Sequence, residues 1–204
     1  MSRGFTNEEK KIIRKDLINA FEQQLRVQKA SKISVDDLVK EVGISKGSFY
    51  NFFPSKEVLF VNVINDLQSK IINEVTNVVA TKSLSDKDKL KRILKLIIKR
   101  LLSNSWLQQL SGNEFEKLIR RLPQDMKDDL LENDVFDIQN ILDKLNLRSV
   151  IPISKVVVII QIILSSTTRS SDFGKQYNSS VKFMIDLFVE NLFEEQERKK
   201  DEQN

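Results

Sequence analysis

The chain has no cysteine and no histidine, and among its 204 residues there are only five glycines and three prolines. Without cysteine there can be no disulfide, thiol nucleophile or thiol redox sensor. Without histidine, the commonest metal ligand and the side chain best suited to titrating near neutrality are both missing. A carboxylate-bridged metal site in a helical bundle needs Glu-x-x-His pairs, so that route is closed. There is also no GxxxxGK(S/T) phosphate loop and no nucleophile elbow. No metal, no cofactor and no enzymatic activity are therefore expected, and acids such as Glu114, Glu116, Asp128 and Asp129 read as solvent-facing charges. Long apolar runs are missing too. VVVIIQIIL, at 156–164, is nine residues, against the roughly 20 needed to cross a bilayer, and reads as a buried helix. Residues 1–30 are charged and amphipathic, unlike a basic start followed by an apolar signal core, so a cytoplasmic location and no membrane partner are expected.

What is present is helix-forming. A hydrophobic content of 40% is enough to bury a core, and scarce glycine and proline beside abundant Leu, Ile, Lys and Glu favour an all-α protein. The net charge is +4, and most of the excess lies in the first 60 residues, with 11 Lys or Arg against 8 Asp or Glu. That balance is compatible with nucleic acid without being diagnostic of it.

Capping signals and apolar periodicity divide the chain into about nine helices. Thr6 and Glu9 have capping-box spacing, and Ile13, Leu17, Ala20, Phe21 and Leu25 form one stripe of a first helix to about residue 29. Ser34 stands as an N-cap before a second helix at 35–42. Gly43 ends it, and Ser45 caps a third helix, Lys46 to Phe53, which Pro54 closes. A fourth runs from Ser55 to about 81, and SDKD from Ser85 opens a fifth to about 102 as a second capping box. Phe115 to Leu122 and a segment from Pro123 give two more, Pro152 starts one through Thr168, and Gly174 to Glu195 is the last.

Residues 33–53, ISVDDLVKEVGISKGSFYNFF, are two short helices about a glycine turn. Leu38 and Val42 lie before the turn and Ile44, Phe49 and Phe52 after it, the apolar set that clamps two helices at a steep angle. Phe49, Phe52 and Phe53 read as core. The order Gly-Ile-Ser, Lys-Gly-Ser-Phe-Tyr, Asn-Phe-Phe, then Ser-Lys-Glu and an apolar helix resembles the tetracycline-repressor (TetR) family of bacterial one-component regulators, over residues 6 to about 64. Three departures stand out. Val39 takes the place of a small residue, Phe52 that of a frequent Tyr or His, and QKASK that of a glycine and an aromatic.

The resemblance implies a DNA-binding domain at 1–54, with its helix-turn-helix motif at 34–53, and a helical regulatory and dimerisation domain at 55–204. It implies that Lys46, Gly47, Ser48 and Asn51 face base edges or adjacent phosphates, and that Ser34, Tyr50 and Lys56 bind backbone phosphates. For these residues plainer roles stay open. Ser34 and Ser45 are helix caps in any case, Tyr50 could be partly buried, and Lys56 could be a solvated first-turn residue. The partners implied are a double-stranded palindromic operator, a second copy of the chain, and a small hydrophobic or amphipathic effector that releases a repressor from DNA.

The apolar helix at 156–164 and the last helix have more apolar surface than one subunit needs. Val157, Ile160, Leu164, Met184, Ile185, Phe188 and Leu192 are expected to form a four-helix dimer interface. The resemblance also implies an effector pocket among the fourth to eighth helices. Trp106, Leu110, Phe115, Ile119, Leu122 and Met126 either line it or are plain core, and Gln161, Ser165 or Thr167 would hold a polar group. An adaptor that binds DNA and a protein partner, with no small ligand, is the competing reading.

Overall fold

Local capping chemistry sets where the helices begin. In the computed structural model of the chain, the residues described are 5–104, 106–107, 116, 119–124, 126–127 and 138–196. Helix α1, Asn7–Leu25, opens on a complete capping box, in which Thr6 Oγ1 accepts from the Glu9 N–H at 3.2 Å and the Glu9 carboxylate accepts from the Thr6 N–H at 2.7 Å. A short 3-10 turn, Ala30–Lys32, leads to α2, Val35–Val42. Gly43 then takes φ 75° and ψ 33°, a left-handed conformation that a Cβ would penalise, and α3, Lys46–Phe52, follows. Helix α4 is Lys56–Val79, and α5, Asp86–Ser103, starts at Ser85. At Ser85 only half of the expected box forms. Its Oγ accepts from the Asp88 N–H, but the Asp88 side chain, one methylene shorter than glutamate, takes the Ser85 hydroxyl at 2.9 Å.

Helix α6 is Ile138–Lys144, α7 is Ile153–Ser165 and α8 is Tyr177–Leu192. The described residues thus hold eight α-helices, against about nine expected, and the fold is all-α. The expected helices at Phe115 to Leu122 and from Pro123 fall largely outside the described residues. Two boundaries differ from expectation. The helix begun at Pro152 ends at Ser165, and Ser166–Gln176 is a 3-10 stretch broken at Arg169 and at Gly174, whose φ of 70° and ψ of −162° suit only glycine. The last helix ends at Leu192 because Phe193–Glu195 (β2) pairs antiparallel with Leu147–Ser149 (β1), Ser149 opposite Phe193. Asn146, at φ 48°, turns the chain into that ribbon.

By length and composition alone, Ile153–Leu192 could cross a membrane. As folded it is two helices of 13 and 16 residues either side of a kinked stretch. At 1.5 Å per residue each is about 20–24 Å long, short of a hydrocarbon core of about 30 Å.

The chain divides into two compact units, residues 1–69 with 105–133, and residues 70–104 with 134–204. In the first, α1 packs on α2 and α2 on α3. Leu17, Phe21, Leu25, Leu38, Phe49, Phe53 and Leu59 are almost fully buried there, each worth about 1.5–3 kcal/mol of transfer free energy. In the second, α5 packs on α8 and α7, with Leu90, Ile93, Ile97, Val156, Ile160, Ile185 and Val189 in the core.

Candidate nucleic-acid interface

A seven-residue helix at 100° per residue puts Lys46, Gly47, Tyr50 and Asn51 of α3 on one side and Phe49 on the other. Burial follows that division. Phe49 is fully buried, whereas Lys46, Gly47, Tyr50 and Asn51 are exposed and Ser48 is half-buried. Phe53 is buried with Phe49, their rings 6.1 Å apart, but Phe52 lies only half-buried at the edge, 6.0 Å from Phe5. The aromatic side of α3 anchors it, so its small and polar side is left to solvent.

The N-terminal turn of α3 is held by Ser45, whose Oγ accepts from the Ser48 N–H at 3.1 Å and lies 2.9 Å from the Ser48 hydroxyl. A Cβ on Gly47 would meet only Ser45 Oγ, at 3.9 Å, so glycine there is not required by packing within the chain. It does keep the surface low at the start of α3. Tyr50 sets its ring edge-on against Phe49 at 5.3 Å and is 51% exposed, which points its other end outward.

Lys46 reaches across the turn to Asp36 Oδ2 at 2.8 Å. That hydrogen bond, with the charge of Asp36, holds the Lys46 ammonium above lysine's ordinary range. Ser34 caps α2 by accepting from the Asp37 N–H at 3.1 Å and gives its own proton to Asp37 Oδ2 at 2.6 Å. Asp36 and Asp37 occupy the first turn of α2 and already satisfy its positive end.

Lys56 is spent inside the protein. Its Nζ donates to the carbonyl oxygens of Ala30 at 3.1 Å, Ser31 at 3.4 Å and Ile33 at 2.8 Å. Burial pushes the ammonium below lysine's ordinary range, opposed by the charge of Glu57 and aided by that of Arg121. It therefore pins the 3-10 turn that delivers the chain to Ser34.

Arg14 is a residue that sequence reasoning missed. Its guanidinium donates to the Phe52 carbonyl at 3.1 Å and to Asn62 Oδ1 at 2.6 Å, and lies 4.4 Å from the centre of the Phe53 ring. It ties α1 to the C-terminal end of α3 and to α4. No local signal marks it, because its partners lie 38 and 48 residues away.

Of the expected effector residues, Trp106 and Leu122 are buried and Ile119 and Met126 half-buried, all in the first unit, while Leu110 and Phe115 lie outside the described residues. Trp106 packs edge-on against Phe60 at 6.2 Å, and its buried indole N–H has no acceptor among the described residues. Thr167 is buried and bonds the Leu164 carbonyl at 2.6 Å. Gln161 and Ser165 are exposed, on the same stripe of α7 as the outward-facing Val158 and Ile162. Of the expected dimer residues, Ile160, Ile185 and Phe188 lie in the protomer's own core, Val157, Leu164 and Leu192 are half-buried, and Met184 is exposed.

Residues 26–63, from the end of α1 to the second turn of α4, match the family of bacterial regulatory proteins of the tetR type. The chain is 31% identical over 81 residues to the uncharacterised HTH-type transcriptional regulator YdgC of Bacillus subtilis (strain 168), a stretch covering 40% of this chain and 42% of YdgC. It is 32% identical over 91 residues to the nucleoid occlusion factor SlmA of Aliivibrio fischeri (strain MJ11), covering 44% of each. The chain thus spans less than half the length of these curated relatives. Over nearly the whole chain the fold is similar to that of the transcriptional regulator FadR from Bacillus subtilis, solved in complex with stearoyl-CoA. The TM-score is 0.62 at 14% identity, over 86% of this chain and 96% of FadR. In its helix-turn-helix head, residues 26–63, the chain is thus similar to the tetR family of bacterial regulatory proteins.

Proposed function

We propose that the chain is a DNA-binding transcriptional regulator of the cytoplasm, a homodimeric repressor released from a palindromic operator by a small hydrophobic or amphipathic effector. The observation that carries this reading is the outward face of α3, where Lys46, Gly47, Tyr50 and Asn51 stand exposed within the segment that matches the family. A two-turn helix with a low surface at its start fits a major groove about 12 Å wide. In this reading Lys46, Gly47, Ser48 and Asn51 meet base edges or neighbouring phosphates and Tyr50 a backbone phosphate. Ser34 and Lys56 act through the backbone they hold. Residues 1–54 are the reading head and 55–204 the regulatory and dimerisation part.

One head reads half a site, so a dimer is needed, with recognition helices about 34–36 Å apart or a multiple of that. Val158 and Ile162 on α7, with Phe183, Met184 and Leu187 on α8, are 42–64% exposed, a large unpartnered apolar area. These outward residues, with Gln161 and Ser165 beside them, form the dimer surface. Met184 is common to this surface and the expected set, whose Ile160, Ile185 and Phe188 are buried within the protomer.

Trp106 supports an effector site. A buried donor without an acceptor costs about 1–3 kcal/mol, a cost that a bound ligand's acceptor atom would remove. The FadR likeness, with its stearoyl-CoA, points the same way. Similarity to a nucleoid occlusion factor favours the second reading, an adaptor controlled by a protein partner with no small ligand. Footprinting on DNA from around the protein's own gene, with and without added hydrophobic compounds, separates the two. Protection that a compound lifts supports a ligand-released regulator, protection that none alters supports the adaptor, and no protection contradicts both.

A further inference from the structure

The second unit has a cleft of about 710 Å³ that the DNA-reading face does not use, within the size range of about 300–1,000 Å³ for small-molecule sites. Its floor is apolar, formed by the buried Ile98 and Ile185 with Leu96 and Leu102 on the walls. Its rim is cationic. Arg92, Lys95, Lys99 and Arg100 come from α5 and Lys182 from α8. Two of the five are matched by carboxylates, Lys95 by Asp186 at 2.5 Å and Arg100 by Glu74. Among the described residues, Arg92, Lys99 and Lys182 have no carboxylate partner.

Three unmatched cations around an apolar hollow have a specific chemistry. With five cations against the one lining carboxylate of Glu74, the cleft has an excess of positive charge that concentrates potential at its mouth and favours an anion there. The aliphatic floor gains only if an apolar body fills it. Nucleic acid would use the cations and waste the floor, and an uncharged hydrocarbon would do the reverse. The cleft is also clear of the proposed dimer surface, because Leu187 lies nine residues from Asn178 on the cleft wall, about half a turn round α8.

We propose that this cleft binds a single-chain amphiphilic anion, an acyl chain on the aliphatic floor and a phosphate or carboxylate head held by Arg92, Lys99 and Lys182. The head also competes with Glu74 for Arg100, and Glu74 belongs to α4, the helix whose first turn carries Lys56. The inference rests on the ligand-responsive reading above for its regulatory meaning, whereas binding itself is independent of DNA.

The test is calorimetry on the full chain with dodecyl phosphate below its micellar concentration, beside dodecanol and inorganic phosphate. Dodecyl phosphate should bind about tenfold or more tightly than either, since head and chain each supply part of the affinity. Lys99→Glu with Lys182→Glu should abolish binding, and the milder Lys99→Gln with Lys182→Gln should weaken it about tenfold with an unchanged thermal melt. Lys155→Glu, on an exposed residue of α7 outside the cleft, should leave it unchanged. No binding of dodecyl phosphate, equal binding of dodecanol or of inorganic phosphate, or binding indifferent to both double variants overturns the proposal. Operator affinity measured without amphiphile is a separate readout, so a protein that binds DNA but not dodecyl phosphate refutes the cleft alone.

Discussion

Lys46 is the residue on which the DNA-reading account is most exposed, because the protein already gives it a partner. In free protein its ammonium is neutralised by Asp36, both side chains being more than half exposed. DNA must either displace Asp36 or accommodate it, and a surface pair of this kind is worth little, so displacement is inexpensive. Lys46→Ala is therefore expected to weaken operator binding and lower the slope of log K against log salt by about one. Asp36→Asn should do the opposite, tightening binding a few-fold, as removal of a carboxylate beside the phosphates requires. Titrations of both variants at several salt concentrations check the pair, and equal affinities for Lys46→Ala and wild type reject the assignment. Lys56 answers to a different measurement. Its three carbonyl bonds make Lys56→Met destabilising by about 1.5–3 kcal/mol, read as a shift of the urea midpoint.

The scale of single elements shows what sequence can carry. The bounds of α2, the caps at Thr6, Ser34 and Ser45, and the left-handed Gly43 were all legible, because each is fixed by residues three or four positions apart. Arg14 was not, nor was the ribbon between Leu147–Ser149 and Phe193–Glu195, since both depend on partners tens of residues away. Helix α7 was legible as a helix from Pro152, but not which of its sides turns inward. With Val or Ile at most of its positions, it is apolar all round and its periodicity has no phase, so its inner and outer stripes could not be told apart.

The α5–α8 face was equally invisible, although it makes a checkable pH prediction. Lys87, Lys91 and Lys95 meet Asp186 and Glu190 across the two helices. The hydrogen bond from Lys91 holds the Glu190 carboxyl below the ordinary glutamate value of 4.5, and Glu190 in turn holds Lys91 above 10.5. On acidification the unfolded chain takes up its proton first. This stabilisation is therefore complete above about pH 4.5 and lost as pH falls through the lower folded value. The lysine's share is present below 10.5 and lost as pH rises through its raised value. Glu190→Gln should flatten the acid limb of a melting-temperature profile without changing its shape between pH 6 and 8, approximately the range in which neither group titrates.

In the proposed function, operator recognition and dimerisation are one requirement, since the reading of a palindrome needs two heads at a fixed spacing. The exposed stripe of Ile162, Phe183 and Leu187 makes this testable away from the DNA-binding face. Leu187→Asp with Ile162→Asp is expected to give a folded monomer in sedimentation, because both side chains lie outside the protomer core, and to reduce operator affinity by about a hundredfold or more as avidity is lost. A dimer that survives both substitutions contradicts this interface.

Whether the outward side of α3 reads DNA is decided by fluorescence anisotropy on the footprinted operator with Tyr50→Ala and Asn51→Ala combined. Both side chains are exposed, so the fold should hold and the thermal melt stay near that of the wild type. The account predicts an affinity lower by about tenfold or more, with discrimination relaxed at the base pair that Asn51 meets. Wild-type affinity and wild-type discrimination in that folded variant would contradict it.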